Sequence, residues 1–74
     1  MVKDERLIIL GKHIRVIRLS KKLTQKQLAH SVNKDQQSIN RLESGGVNPS
    51  YLYLVSIAEG LEIDIQTLLN ISET

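Results

Sequence analysis

Gln36, Gln37, Ser38, Asn40 and Arg41 place amides, a hydroxyl and a guanidinium within six consecutive positions of this 74-residue chain. Side-chain amides both donate and accept, so a glutamine can pair bidentately with N6 and N7 of adenine, and an arginine with O6 and N7 of guanine. Arg41 is equally suited to a phosphate, and Asn40 is the weaker base reader of the set. The competing reading of the same residues is a solvated polar face. What decides between them is whether a helix narrow enough to enter a groove carries this row, and what holds that helix.

The flanking sequence supplies such a helix. Thr24 is a good N-cap, and Gln27 three residues later completes a capping box, so a helix starts at Gln25. Leu28, Ala29 and Val32 give it one apolar stripe, with Ala29 small enough for a second helix to cross closely. Asn33 tolerates positive φ and can make the reversal that ends it near Ser31. Asp35 then caps the next helix, Gln36 to Ser44, and its charge suits the positive pole of the helix dipole. Ile39 and Leu42 face inward there, which leaves Gln36, Gln37, Asn40, Arg41 and Ser44 outward. Residues 24–45 thus read as two short helices joined by a tight turn.

In order and spacing, L-T-Q-K-Q-L-A, S-I-N-R-L-E-S-G and N-P-S resemble the helix-turn-helix of the lambda-repressor-like (Xre-type) family, which includes small phage repressors and restriction-modification controller proteins. The likeness extends over roughly residues 11–69. It implies an all-α, compact five-helix DNA-binding domain whose second and third helices form the helix-turn-helix. Gln36, Gln37, Asn40 and Arg41 are then the expected base readers. Gln25, Lys26, Ser38, Asn48 and Ser50 are the expected phosphate contacts, which fix register without reading sequence. The resemblance also pairs Arg18 with Glu43 as a buried ion pair, the alternative being that Arg18 touches phosphate. Leu52 and Tyr53 stand where the family commonly has polar residues. With Ile65 they form an expected dimer interface, against the alternative of ordinary isolated surface apolar residues. Three departures bear on the turns. Asn33 and Lys22 stand where glycine is usual. Lys34 replaces a commonly buried Val, so either its stem snorkels over the core or the turn packs loosely.

Length and composition bound the rest. Seventy-four residues allow one domain, 1–74 with its core at about 5–71, and a chain this short buries only about 60–65% of its unfolded surface. Association with a second copy would add to that. The chain has no cysteine, so neither a disulfide framework nor a thiolate metal site is expected, and a cytoplasmic location, of bacterial or phage type by resemblance, is the default. Leu7 to Leu10 is too short an apolar run for a signal peptide or a membrane span. Net charge is only +2, but all ten Lys and Arg lie in residues 1–41 against three acids, a local net of +7, while residues 42–74 carry five acids and no cation. The basic half holds the glutamine-bearing helix.

Read in order, Asp4 caps a first helix over about residues 5–20, with Leu7, Leu10, Gly11, Ile14, Ile17 and Arg18 on one face. Gly45-Gly46 breaks the chain after the third helix. Asn48-Pro49-Ser50 starts a fourth, which runs to about Glu59 and stops at Gly60. Asp64 caps a fifth helix holding Ile65, Leu68 and Leu69, and the chain is expected to fray after Ile71. No linker, repeat or second domain is visible, so a stand-alone binding unit is expected. No enzyme, cofactor or metal site is expected either: His13 and His30 are single imidazoles on exposed helix positions, without zinc-ligand spacing or a catalytic triad. Two functions from different classes remain. One is a homodimeric, sequence-specific regulator of transcription on double-stranded DNA, a repressor or controller at a palindromic operator. The other is an antitoxin- or anti-repressor-type module that uses the same fold to grip a protein partner.

Overall fold

Every helix opens on a side-chain oxygen. In the computed structural model, which describes residues 3–71, the helices are α1 (Glu5–Ser20), α2 (Gln25–Ser31), α3 (Gln36–Glu43), α4 (Tyr51–Gly60) and α5 (Ile65–Leu69). Asp4, Thr24, Asp35, Ser50 and Asp64 precede them in extended conformation, and each accepts a hydrogen bond from an amide of the first turn. At Thr24 the capping box closes in both directions, the Gln27 side chain accepting from the Thr24 amide at 2.8 Å. No strand is present among the described residues.

The helix ends are equally uniform. After α1, α2, α3 and α4 the second residue past the helix takes positive φ: Lys22, Asn33, Gly45 and Glu62, at 60°, 58°, 79° and 59°. In each case the next amide reaches back five residues to a helix carbonyl: Leu23 to Arg18, Lys34 to Ala29, Gly46 to Arg41 and Ile63 to Ala58. These are four Schellman closures, and glycine, the residue that best tolerates the conformation, occupies one of them. Positive φ at Asn33 is the reversal its side chain suited. Gly60 differs from expectation. It is the last residue of α4 and does not end the helix by its own conformation, since Glu62 makes the turn. A methyl group on Gly60 would approach Val32 Cγ1 to 2.6 Å, so its smallness serves the contact between α2 and α4. Ser44, expected as the last residue of α3, is its C-cap.

The core joins all five helices. Ile14 of α1, Leu28 and Ala29 of α2, Ile39 and Leu42 of α3, Leu54, Ile57 and Ala58 of α4, Leu61, and Leu68 of α5 form one buried cluster. Leu10, Ile17, Leu23, Val32, Tyr53, Ile63 and Ile65 pack around it. α3 lies against both α1 and α2, and α5 closes against α1 and α4. The approach of α1 to the end of α3 is made at Gly11, where a methyl group would collide with the backbone carbonyl of Glu43. The expected fraying beyond Ile71 concerns residues 72–74, which lie outside the described residues.

Candidate nucleic-acid interface

α3 is held from its inner side by a charged pair. Arg18 Nε donates to Glu43 Oε2 at 2.6 Å and Arg18 Nη2 to Glu43 Oε1 at 3.0 Å, with both residues only 6% exposed. The third guanidinium nitrogen, Nη1, donates to the Leu23 carbonyl at 2.7 Å, in the turn that leads into α2. One side chain of α1 therefore fixes the end of α3 and the entry to α2 together. A two-pronged guanidinium–carboxylate contact constrains angle as well as distance.

Gln25 extends this network outward. Its Nε2 donates to Glu43 Oε1 at 3.1 Å, and Asn40 Nδ2 lies 3.5 Å from its oxygen. Half-buried Gln25 is thus engaged with α3, whereas Lys26 beside it is exposed. Gln36, Gln37, Asn40 and Arg41 are exposed, and the first three line one open groove with Gln25 and Asp35. Asp35 is committed to capping. Its carboxylate accepts from the Ser38 amide at 2.8 Å, and that backbone bond, followed by the Ser38 side chain, holds its pKa below the usual value.

The other flank of α3 has a different character. Lys34, in the turn just before the Asp35 cap, shares a cleft with Ser38 and Arg41 of α3 and with Gly46, Val47 and Tyr53. Lys34, where snorkelling or a loose turn were the alternatives, is exposed and reaches across to α4, its Nζ 5.2 Å from the centre of the Tyr53 ring. Ser38 is half-buried in this cleft. Asn48 and Ser50 are exposed on the α3–α4 loop, and the Ser50 hydroxyl is occupied as the cap of α4, accepting from the Tyr53 amide at 3.1 Å.

On α4 and α5, Leu52 is 74% and Tyr51 61% exposed, while Tyr53 and Ile65 are half-buried against the core. The sequence puts Tyr51 on an inward stripe with Leu54, Val55, Ile57 and Ala58, but as the first residue of α4 it points to solvent while Leu54, Ile57 and Ala58 are buried. Lys34 and Tyr53 were missed as partners: Lys34 lies in the turn outside α3, and Tyr53 meets it only through tertiary packing. His13 is half-buried rather than exposed, with Nε2 3.5 Å from the Thr67 carbonyl, a marginal contact.

Two helices at a tight turn, the second offering amides and a guanidinium to solvent while its other face is locked to α1, define a helix-turn-helix DNA-binding domain. The helix-turn-helix family model matches residues 14–68, most of the chain, and the protein belongs to that lambda-repressor-like, Xre-type family. Among solved structures it is similar to the restriction-modification controller protein C.AhdI from Aeromonas hydrophila, with 27% identity, a TM-score of 0.86, and coverage of 89% of this chain and 100% of that one. The wild-type controller protein C.Esp1396I is similar at 30% identity and TM-score 0.82, over 89% of this chain and 87% of that one. The clp gene regulator ClgR from C. glutamicum follows at 26% identity and TM-score 0.80, over 84% and 80%. No curated protein sequence matches. The family and these neighbours make the chain a DNA-binding regulator of transcription. No helix among the described residues is long and apolar enough to cross a membrane.

Proposed function

We propose that the chain is a homodimeric repressor or controller that reads a palindromic operator through the major groove. The observation that carries this reading is α3 itself, with Gln36, Gln37, Asn40 and Arg41 exposed on a helix whose opposite face is fixed by the Arg18–Glu43 pair. Gln36 and Gln37 read adenine edges from the start of the helix, and Arg41, one turn on, takes guanine or a phosphate. Lys26, the outward part of Gln25, Ser38 and the loop around Asn48 and Ser50 set register on the backbone.

One copy is too small to span a two-part site. Its longest principal dimension is 29 Å, and two recognition helices in successive turns of one groove stand about 34 Å apart. A two-fold dimer supplies the second helix and makes the site palindromic. The copies meet on the α4–α5 side, through exposed Leu52 of α4 and Ile65 of α5, whereas Tyr53, first expected there, turns to the α3 side of α4. Control of transcription, as in the neighbouring controller proteins, follows from occupying such a site.

Selection from a randomised duplex pool at about 0.15 M salt tests the reading, because non-specific binding is weakened there. An enriched palindrome with half-sites about one helical turn apart is expected. If nothing enriches and the chain instead co-purifies stoichiometrically with another protein, the fold serves a protein-interaction module.

A further inference from the structure

The hydroxyl of Tyr53 is the least well-explained polar group in the molecule. It is shielded from solvent and has no hydrogen-bond partner among the described residues. A buried hydroxyl left unpaired is destabilising relative to one that is satisfied, so such groups ordinarily have a partner in the functional state. Tyr53 lines a cleft of about 310 Å³ together with Lys34, Ser38, Arg41, Gly46 and Val47.

The charges around the cleft define its ligand. Lys34 stacks on the Tyr53 ring, and Arg41 lies near enough to favour the ionised phenol, although burial is the larger effect and pushes the phenol up. Asp35 is the acidic residue facing them, and its carboxylate is already occupied by Ser38. Two cations, a hydroxyl donor and one engaged carboxylate favour an anion with several acceptor oxygens. The cleft opens beside α3 on the flank opposite the groove formed by Gln25, Gln36, Gln37 and Asn40.

From this arrangement we infer that Lys34, Arg41 and the Tyr53 hydroxyl form a seat for a phosphodiester of the DNA backbone, on the side of the recognition helix away from Gln25. The inference rests on the DNA-binding reading above and adds to it. Tyr53 becomes a backbone-positioning residue whose ring packs against the core and whose hydroxyl, covered in the free protein, gains its partner when DNA is bound. Each flank of α3 then has its own anchor, Gln25 and Lys26 on one and this seat on the other. A helix held on both flanks presents its glutamines at one depth and angle.

Tyr53→Phe removes the hydroxyl and keeps the ring, and Lys34→Gln removes one charge. With a duplex that the wild-type protein binds, Tyr53→Phe should weaken affinity by about tenfold, equally on specific and scrambled sequences, because a hydrogen bond to a charged group is lost. Lys34→Gln should make the log–log salt dependence shallower by about 0.9, one phosphate's share. The selected consensus and the sedimentation behaviour should not change. If the wild-type protein binds its duplex and both variants match it in affinity and salt slope, the seat is refuted while DNA binding stands. If the wild-type protein binds no duplex at salt where the fold is intact, the DNA reading itself fails. Titration of inorganic phosphate into the protein without DNA, followed by the amide resonances of Ser38 and Gly46, separates the two sources of this anion. Saturation at sub-millimolar phosphate, with DNA affinity indifferent to Tyr53→Phe, would assign the seat to a small free anion and overturn the backbone assignment.

Discussion

The two faces of α3 differ in almost every respect, although they belong to one helix of eight residues. On the inner face Ile39, Leu42 and Glu43 are buried, Gly11 lets α1 come within backbone distance, and Arg18 occupies both carboxylate oxygens of Glu43. On the outer face Gln36, Gln37, Asn40 and Arg41 are exposed, and among the described residues the only side-chain hydrogen bond that this row makes to another helix is the long approach of Asn40 to Gln25. The inner face sets where the helix is, and the outer face sets what it reads. Stability and sequence preference should therefore respond to different residues.

Breaking the inner face should have the largest effect. Arg18→Ala strands a buried carboxylate and is expected to destabilise by roughly 3–5 kcal/mol, read as a fall in the denaturant midpoint. Replacing the pair together, Arg18→Met with Glu43→Leu, should recover most of that loss, because no charge is left unpaired. An unchanged midpoint for Arg18→Ala would show that the pair does not hold α3. Gly11→Ala comes next, at about 1–3 kcal/mol, since the methyl group forces α1 away from the carbonyl of Glu43. Because this moves the platform, DNA affinity should fall on every sequence alike.

Smaller effects test the surroundings of that platform. Glu62→Gly relieves positive φ in an L-residue outside the recognition helix, and should raise stability by up to about 1 kcal/mol with no change in DNA binding. The smallest effect is on acid stability. A hydrogen-bonded Arg6 lowers the Asp4 pKa from 3.8 to about 2, and backbone and side-chain bonds lower those of Asp35 and Asp64. Depressed values mean that the caps contribute fully above the ordinary carboxylate pKa and lose that contribution as pH falls through the folded-state value. Helicity followed from about pH 4 to about pH 2 should decline, and Asp4→Asn should flatten its share of the profile. All three carboxylates are solvent-facing, so the decline is shallow.

The parts of this fold that sequence made legible are those governed by local chemistry. Thr24 with Gln27, and Asp4, Asp35 and Asp64, declare helix starts through side chains acting on amides two or three residues away, and Asn33 declares a turn. Lys22 and Glu62 carry no such signal. They adopt positive φ because the Schellman bonds of α1 and α4 and the packing beyond them outweigh local preference. Gly60 looked like a helix stop and instead answers to Val32 across the α2–α4 contact, which no local pattern shows. At the interface, the row from Gln36 to Arg41 followed from helical spacing and the Arg18–Glu43 geometry was suggested by family resemblance. The cleft with Tyr53 was hidden because it forms only when the loop through Gly46 and Val47 folds α4 back beside α3, which no local pattern shows.

The most direct test of the division between the faces is parallel site selection with the wild-type protein and Gln36→Ala. Base reading by α3 predicts a palindromic consensus for the wild type and a loss of preference confined to symmetric positions in the two half-sites for the variant, with unchanged stability. Each bidentate contact is worth about 1–3 kcal/mol of discrimination, enough to be visible at single positions. An identical consensus from both proteins, or a uniform loss across all sequences, would contradict the assignment of Gln36 to a base edge.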